Sequence, residues 1–256
     1  MLFTFTAQAY VRDPIARPVV LAPTGIDDLD HLPGGIGSGD VWVLAGAARS
    51  ERSMLCVQLA SALAAAGSSV RFFLGRDPIQ ETVARFSAHT RAGSLFDVRS
   101  TLPHLGEPWA TWALDFVPRP ESLRTEDWDV LPVGGPCCLV IDDLDLWGGE
   151  PAAFLPLARS YARREGCAVV ITVPEYVLGQ GDPATWQQWV RGSDVIMSVA
   201  SQSDGYSTIQ VLSHRAGPIA TLDTYGHFEG ARFETPQTAP RSVPPTAPQG
   251  DGAAWP

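Results

Sequence analysis

The sequence has no lysine. All 18 residues counted as Lys or Arg are arginine, so no lysine side chain is on hand anywhere in the chain to neutralise a bound phosphate. Positive charge is scarce too. A net charge of −10 and a pI near 4.9 oppose generic affinity for DNA, RNA or an anionic membrane, because phosphate binding needs a concentrated positive surface. Long apolar runs are missing, which excludes an obvious membrane-spanning helix. The N-terminus, MLFTFTAQAYVRDP, has neither a basic start nor a continuous apolar stretch, so no secretory signal is expected. Only 4 cysteines are present, Cys56, Cys137, Cys138 and Cys167, and none forms a C-x-x-C pair. They read as buried, reduced thiols of a cytoplasmic protein. His214 and His227 have no metal-ligand company in the sequence, and no repeat of 20–50 residues is visible.

What is present is enough apolar material for a core, at 45% hydrophobic residues, in a chain whose 256 residues suit one large domain. Short apolar runs alternate with longer amphipathic stretches. Residues 40–46, 69–75, 111–118, 137–147 and 167–173 read as strands. Residues 53–67, 78–90 and 151–166 read as helices. Pro156 is expected to limit the first part of the last helix, since proline removes a backbone donor. Residues 193–200 and 206–215 read as a hairpin, and 219–234 as one or two further strands. Strand–helix alternation implies an α/β fold with a mostly parallel sheet covered on both faces, extended by antiparallel strands at one edge. Residues 235–256 contain six prolines and almost no aliphatic residues, the composition of a disordered tail.

The stretch GAARSERS, 46–53, follows an apolar strand and opens a helix. A phosphate-binding loop has that context: backbone N–H groups and the helix N-terminus bind phosphate, a lysine neutralises charge and a Ser or Thr ligates magnesium. Against G-x-x-x-x-G-K-[ST] the stretch keeps Gly46 and Ser53, but has Glu51 for the second glycine and Arg52 for the lysine. Ala47, Arg49 and Ser50 fill the loop. A second element, CCLVIDD, is an apolar strand ending in Asp142 and Asp143, where a metal-binding acid would sit.

The segment TGIDDLDHLPGGIGSGDVWVLAG resembles the opening of the RecA-like P-loop ATPase domain of DnaB-type replicative DNA helicases and their KaiC and RadA relatives. It does so through Thr24, Gly25, Leu29, Asp30, Gly34, Gly35, Ile36, Gly39 and Asp40. The closing stretch SHRAGPIATLDTYGHFEGARFE is similar to the closing strands of those helicases through Ser213, Arg215, Gly217 and Pro218. The likeness covers roughly 20–234 and divides the chain into an N-terminal extension, 1–23, a RecA-like domain, 24–234, and the tail. It implies ATP with Mg²⁺ bound between subunits of an oligomer. It places Gly46, Arg52 and Ser53 on the phosphate loop, Ser53 and Asp142 on the metal, and Arg215 on the finger that reaches a neighbour's γ-phosphate. The family's catalytic Glu falls on Arg76, which stays protonated and cannot act as a base. Asp77 or Asp143 would have to serve instead. The family's polar sensor is replaced around Val173, Pro174 and Glu175.

These departures point to a degenerate Walker A motif. Like charges about 4 Å apart repel by ~1 kcal/mol in water and several-fold more near protein, and a carboxylate is favoured at a helix N-terminus. Glu51 is therefore expected to lie against the first-turn amides of the 53–66 helix, taking the place of a phosphate. Arg52 keeps the charge on a bulkier, planar group. The expected function is a helicase-like pseudoenzyme, non-hydrolysing or weakly ATP-binding, acting as a regulatory or assembly module. Its oligomer would be formed with itself or with an active RecA-fold ATPase. The alternatives are an active ATPase working in DNA replication, recombination or repair, and a structural protein recruited for assembly. DNA binding, implied by the resemblance, has little support in residues 174–194, which hold one Arg and three acids. Trp186 and Trp189 there fit an amphipathic helix packing inward better than a base-stacking platform. Arg159, Arg163 and Arg164 read as a solvated helix face.

Overall fold

The computed structural model describes residues 20–32, 34–47, 51–91, 93–100, 108–118, 137–147, 151–179, 181–202, 205–227 and 230–236. The tail beyond 236, the extension before 20, and the loop residues Arg49 and Ser50 lie outside the described residues.

Two short strands, β1 (Val20–Ala22) and β2 (Ile36–Gly37), pair with each other alone, so ordered pairing begins inside the stretch read as an extension. Nine further strands make one sheet. In chain order they are β3 (Val41–Gly46), β4 (Ser69–Phe73), β5 (Leu114–Val117), β6 (Cys137–Ile141), β7 (Ala168–Pro174), β8 (Val195–Ser201), β9 (Tyr206–His214), β10 (Ala220–His227) and β11 (Arg232–Glu234). Their spatial order is β11-β10-β9-β8-β3-β7-β6-β4-β5. The six strands from β8 to β5 are mutually parallel, and β9, β10 and β11 extend the edge antiparallel. This is the sheet that the alternating pattern predicts.

Strands β3, β6 and β7 are buried at every position. They lie in the middle of a sheet with both faces covered, which is why they read as unbroken apolar runs. One face carries α1 (Asp27–His31), α2 (Arg52–Ala65), α3 (Ile79–Arg91) and α4 (Leu95–Ser100). The other carries α5 (Pro151–Glu165) and α6 (Pro183–Gly192). Helix α2 is buried around most of its circumference, and small alanines let it sit close to the sheet on one side and to α3 and β11 on others.

Three boundaries differ from the sequence reading. Helix α5 runs through Pro156 without ending. Proline at the sixth helical position gives up one backbone bond, to the carbonyl near the start of the helix, and packing of Leu155 and Ala158, both 0% exposed, holds the rest. Strand β6 stops at Ile141, because Asp143 adopts φ 51°, ψ 57° and the chain turns into a 3₁₀ turn, Leu144–Leu146. Asp is among the few residues that accept this left-handed conformation. Strand β5 is also shorter than the run that suggested it. Trp189 is fully buried and donates its indole N–H to the Val177 carbonyl at 3.1 Å, as inward packing of α6 requires.

Candidate functional site

Parallel strands β3, β4, β6 and β7 all end at the same edge of the sheet, and every group of the candidate site is delivered there. The register sets Gly46 beside Pro174 on one side and Val199 on the other. Gly75 follows β4 where the chains converge. A Cβ there would lie 2.7 Å from the Asp142 carbonyl oxygen and 2.8 Å from the Asp143 Cβ, so only glycine lets β4 and β6 finish side by side.

Arg52 is the centre of the arrangement. Its guanidinium donates to the Gly46 carbonyl at 2.7 Å and the Ala47 carbonyl at 3.5 Å, and pairs with Asp143 at 2.5 Å. The two side chains are 9% and 7% exposed. The residue standing where a phosphate loop carries its lysine is thus satisfied within the protein. The other oxygen of Asp143 accepts the Arg76 backbone N–H at 3.2 Å. The Asp143 backbone N–H donates to the Thr172 hydroxyl at 2.7 Å, and that hydroxyl donates to Asp142 at 2.6 Å. Thr172, a lone hydroxyl inside the apolar run CAVVITV, therefore fixes both aspartates. Its position in that run was a signal in the sequence that went unused.

Ser53 and Asp142, the expected metal pair, do meet: the Ser53 hydroxyl donates to the same Asp142 oxygen at 3.2 Å. Burial pushes the Asp142 carboxyl up to about 6, and the neighbouring Asp143 pushes the same way. The Thr172 and Ser53 hydroxyls and the Arg85 charge oppose them. A cation bound beside a buried carboxyl raised in this way would favour its charged form. Ser53 and Asp142 offer the two hard oxygens that Mg²⁺ takes from protein when phosphates supply the rest of its shell. Among the described residues no group of three His, Cys, Asp or Glu side chains could hold a metal alone.

Glu51 departs from expectation. It is the N-cap residue of α2, yet its carboxylate accepts no bond from the first-turn amides. It turns instead to the β8–β9 hairpin, accepting from the Ser201 hydroxyl and from the Ser207 hydroxyl at 3.1 Å. The phosphate-mimic role is corrected accordingly. Two hydroxyl donors far along the chain satisfy the carboxylate, and Arg52 rather than Glu51 fills the centre of the loop.

Asp77 stands beyond the end of β4, and Arg85 of α3 holds its carboxylate at 2.5 Å. Arg85 also reaches Glu81 at 3.5 Å. A carboxylate so paired is poorly placed to accept a proton from water. Arg85 was not anticipated from the sequence, although it is the guanidinium whose charge bears on Asp142. Glu175, at the end of β7, accepts from the Ser198 hydroxyl at 3.3 Å.

Arg215 lies at the other end of the sheet, since His214 pairs with Val195 at the start of β8. Its guanidinium pairs with Asp194 at 3.2 Å and donates to the carbonyls of Arg191 at 3.2 Å and Ser193 at 3.0 Å. It therefore contacts none of the described phosphate-loop residues of its own chain. Arg159 is tied to Asp194 at 3.3 Å and to the Arg191 carbonyl, so that part of α5 is an ion-pair cluster rather than a purely solvated face. His227 bonds Glu234 at 3.0 Å.

No protein-family model matches the chain, and no curated protein matches it either. Solved structures do. The chain superposes on a solved ATPase domain with a TM-score of 0.73 at 13% identity, over 90% of this chain and 96% of that one. It superposes on a DnaB-like replicative helicase, described together with its interactions with primase, with a TM-score of 0.72 at 14% identity, over 89% of this chain and 67% of the other. The fold is RecA-like, of the kind found in the ATPase domains of DnaB-like helicases. Among the described residues no helix is long and apolar enough to cross a membrane.

Proposed function

We propose that the chain is a helicase-like RecA-fold module with a degenerate nucleotide site, non-hydrolysing or only weakly ATP-binding, that serves in regulation or assembly. The observation that supports this most is the Arg52–Asp143 pair. A phosphate loop needs an uncommitted cation and open backbone amides. Here the cation is bound to a carboxylate and two loop carbonyls, and no lysine exists to replace it. The candidate bases add to the case: Asp143 is spent on Arg52, Asp77 on Arg85, and Arg76 cannot accept a proton.

One observation favours the alternative, an active ATPase working like a DnaB helicase in DNA replication, recombination or repair. Ser53 and Asp142 stand together as a Mg²⁺ pair would. In that reading Ser53 and Asp142 would hold Mg²⁺, which would supply positive charge to a bound phosphate, and Arg52 would have to leave Asp143 to serve the same phosphate.

The partner in this reading is a second copy or an active RecA-fold ATPase, the protein acts in the cytoplasm without a membrane, and DNA is at most a secondary ligand. Arg215 serves a neighbour only after releasing Asp194 and two carbonyls. Phosphate release from ATP with Mg²⁺, compared between the wild type and Ser53→Ala, decides between the readings. The proposal expects background release from both. Sustained release that Ser53→Ala abolishes establishes the alternative.

A further inference from the structure

The remaining unexplained chemistry lies at the opposite ends of the strands that carry the site. Cys138 of β6 pairs with Ala168 of β7 in parallel register. One residue earlier on each chain, Cys137 therefore faces Cys167. Alternation along a strand puts neighbours on opposite faces, and the packing agrees. Cys137 and Cys167 both belong to the cluster under α5 and α6, whereas Cys138 and Cys56 belong to the cluster under α2. The Cys137 and Cys167 side chains are close enough for each to shift the other's proton affinity. Adjacent strands lie about 4.7–4.9 Å apart, inside the roughly 4.4–6.8 Å between α-carbons that a disulfide spans.

We propose that Cys137 and Cys167 are an oxidisable dithiol that closes a cross-strand disulfide when the protein meets a hydroperoxide. The Cys137 sulfur attacks one peroxide oxygen and becomes a sulfenic acid, and the other oxygen leaves as water or an alcohol. The Cys167 sulfur then attacks the sulfenic sulfur, and the hydroxyl leaves as water with the Cys167 proton. Two sulfurs together lose two electrons and two hydrogens, and the hydroperoxide is reduced.

The order of attack follows from the surroundings. Cys137 is 4% exposed and opens its strand, whereas Cys56, Cys138 and Cys167 are 0% exposed. The neighbouring Cys167 thiol holds the Cys137 thiol below its usual range against the opposing effect of burial. The neighbouring Cys137 thiol and burial push Cys167 up, and burial pushes Cys56 and Cys138 up. The thiolate is the reactive species, so the reagent finds Cys137 as nucleophile and Cys167 as the resolving partner. Neither thiol takes part in the nucleotide-site reading, and the two proposals stand or fall separately.

The test exposes the full chain to a small excess of hydrogen peroxide, then unfolds it, alkylates free thiols and digests it after arginine. The expected result is the loss of two hydrogens in the intact mass and one linked pair of peptides, 125–159 with 165–191, reversed by dithiothreitol. Cys138→Ser should keep the link, because that side chain faces the other way. Cys167→Ser should abolish it and leave Cys137 trapped by a sulfenic-acid reagent. Oxidised wild type should melt at a higher temperature than reduced, since the link constrains the unfolded chain, and Cys167→Ser should show no such rise. Four alkylatable thiols after a peroxide dose that oxidises methionine, or a link lost in Cys138→Ser, would overturn the proposal.

Discussion

Replacing Asp143 by Asn separates a committed Arg52 from an available one. The pair is made at 2.5 Å with side chains 7% and 9% exposed. Charges about 4 Å apart attract by ~4 kcal/mol at the dielectric appropriate to such a site, and breaking a buried pair by removing one partner typically costs about 3–5 kcal/mol. Asn at 143 still accepts the Arg76 backbone N–H, and Arg52 keeps the Gly46 and Ala47 carbonyls, so the lower end applies, about 3 kcal/mol. For a chain of this length ~1 kcal/mol moves the melting temperature by about 2–4 °C, and a fall of roughly 6–12 °C follows. Arg52→Met should cost a similar amount by leaving Asp143 charged and buried. The double variant, with no charge left alone, should recover most of the loss, giving a coupling of at least ~2 kcal/mol in urea denaturation followed by tryptophan fluorescence. If each single variant costs under ~1 kcal/mol and the effects add, the pair behaves as an exposed one and the reasoning fails.

Other outcomes follow from the same geometry. Thr172→Val keeps the shape but orphans the Asp143 N–H and removes a donor to Asp142; about 1–3 kcal/mol of lost stability is expected in urea titrations, and no loss would mean the hydroxyl is dispensable. Gly75→Ala forces β4 and β6 apart and should cost roughly 1–3 kcal/mol, read as a lower melting temperature. Burial holds His89 below its usual range while its Nδ1–H donates to the Ala231 carbonyl at 3.2 Å, and His214 is lowered by burial too. These two imidazoles bind protons less readily in the folded state than in the unfolded chain, so their contribution to stability is fully present above about pH 6.5 and is lost as pH falls through the depressed values, while the raised Asp142 carboxyl acts in the opposite direction. His89→Asn should flatten that decline between about pH 7 and 5, and an unchanged slope would remove His89 from the account.

The core of the fold was legible because its strands are buried on both faces and so announce themselves as apolar runs. The 193–215 hairpin forms where two β-rich runs lack a helix-length gap. Ser53 and Asp142 could be paired because each ends or begins an element with strong local pattern. The rest depended on partners distant in sequence. Nothing near Glu51 reveals that Ser201 and Ser207 will draw its carboxylate away from the helix end. Nothing near Arg52 reveals that a left-handed Asp143 will turn its carboxylate toward it. Pro156 does not end α5, because packing of the helix onto the sheet outweighs local propensity.

The account's central claim is that the cation of the loop is already spoken for. Titration of the wild-type protein with a fluorescent ATP analogue and Mg²⁺, with Ser53→Ala as control, tests it most directly. The account predicts no saturable signal in the micromolar range and no difference between the two proteins. Saturable micromolar binding that Ser53→Ala weakens would contradict it.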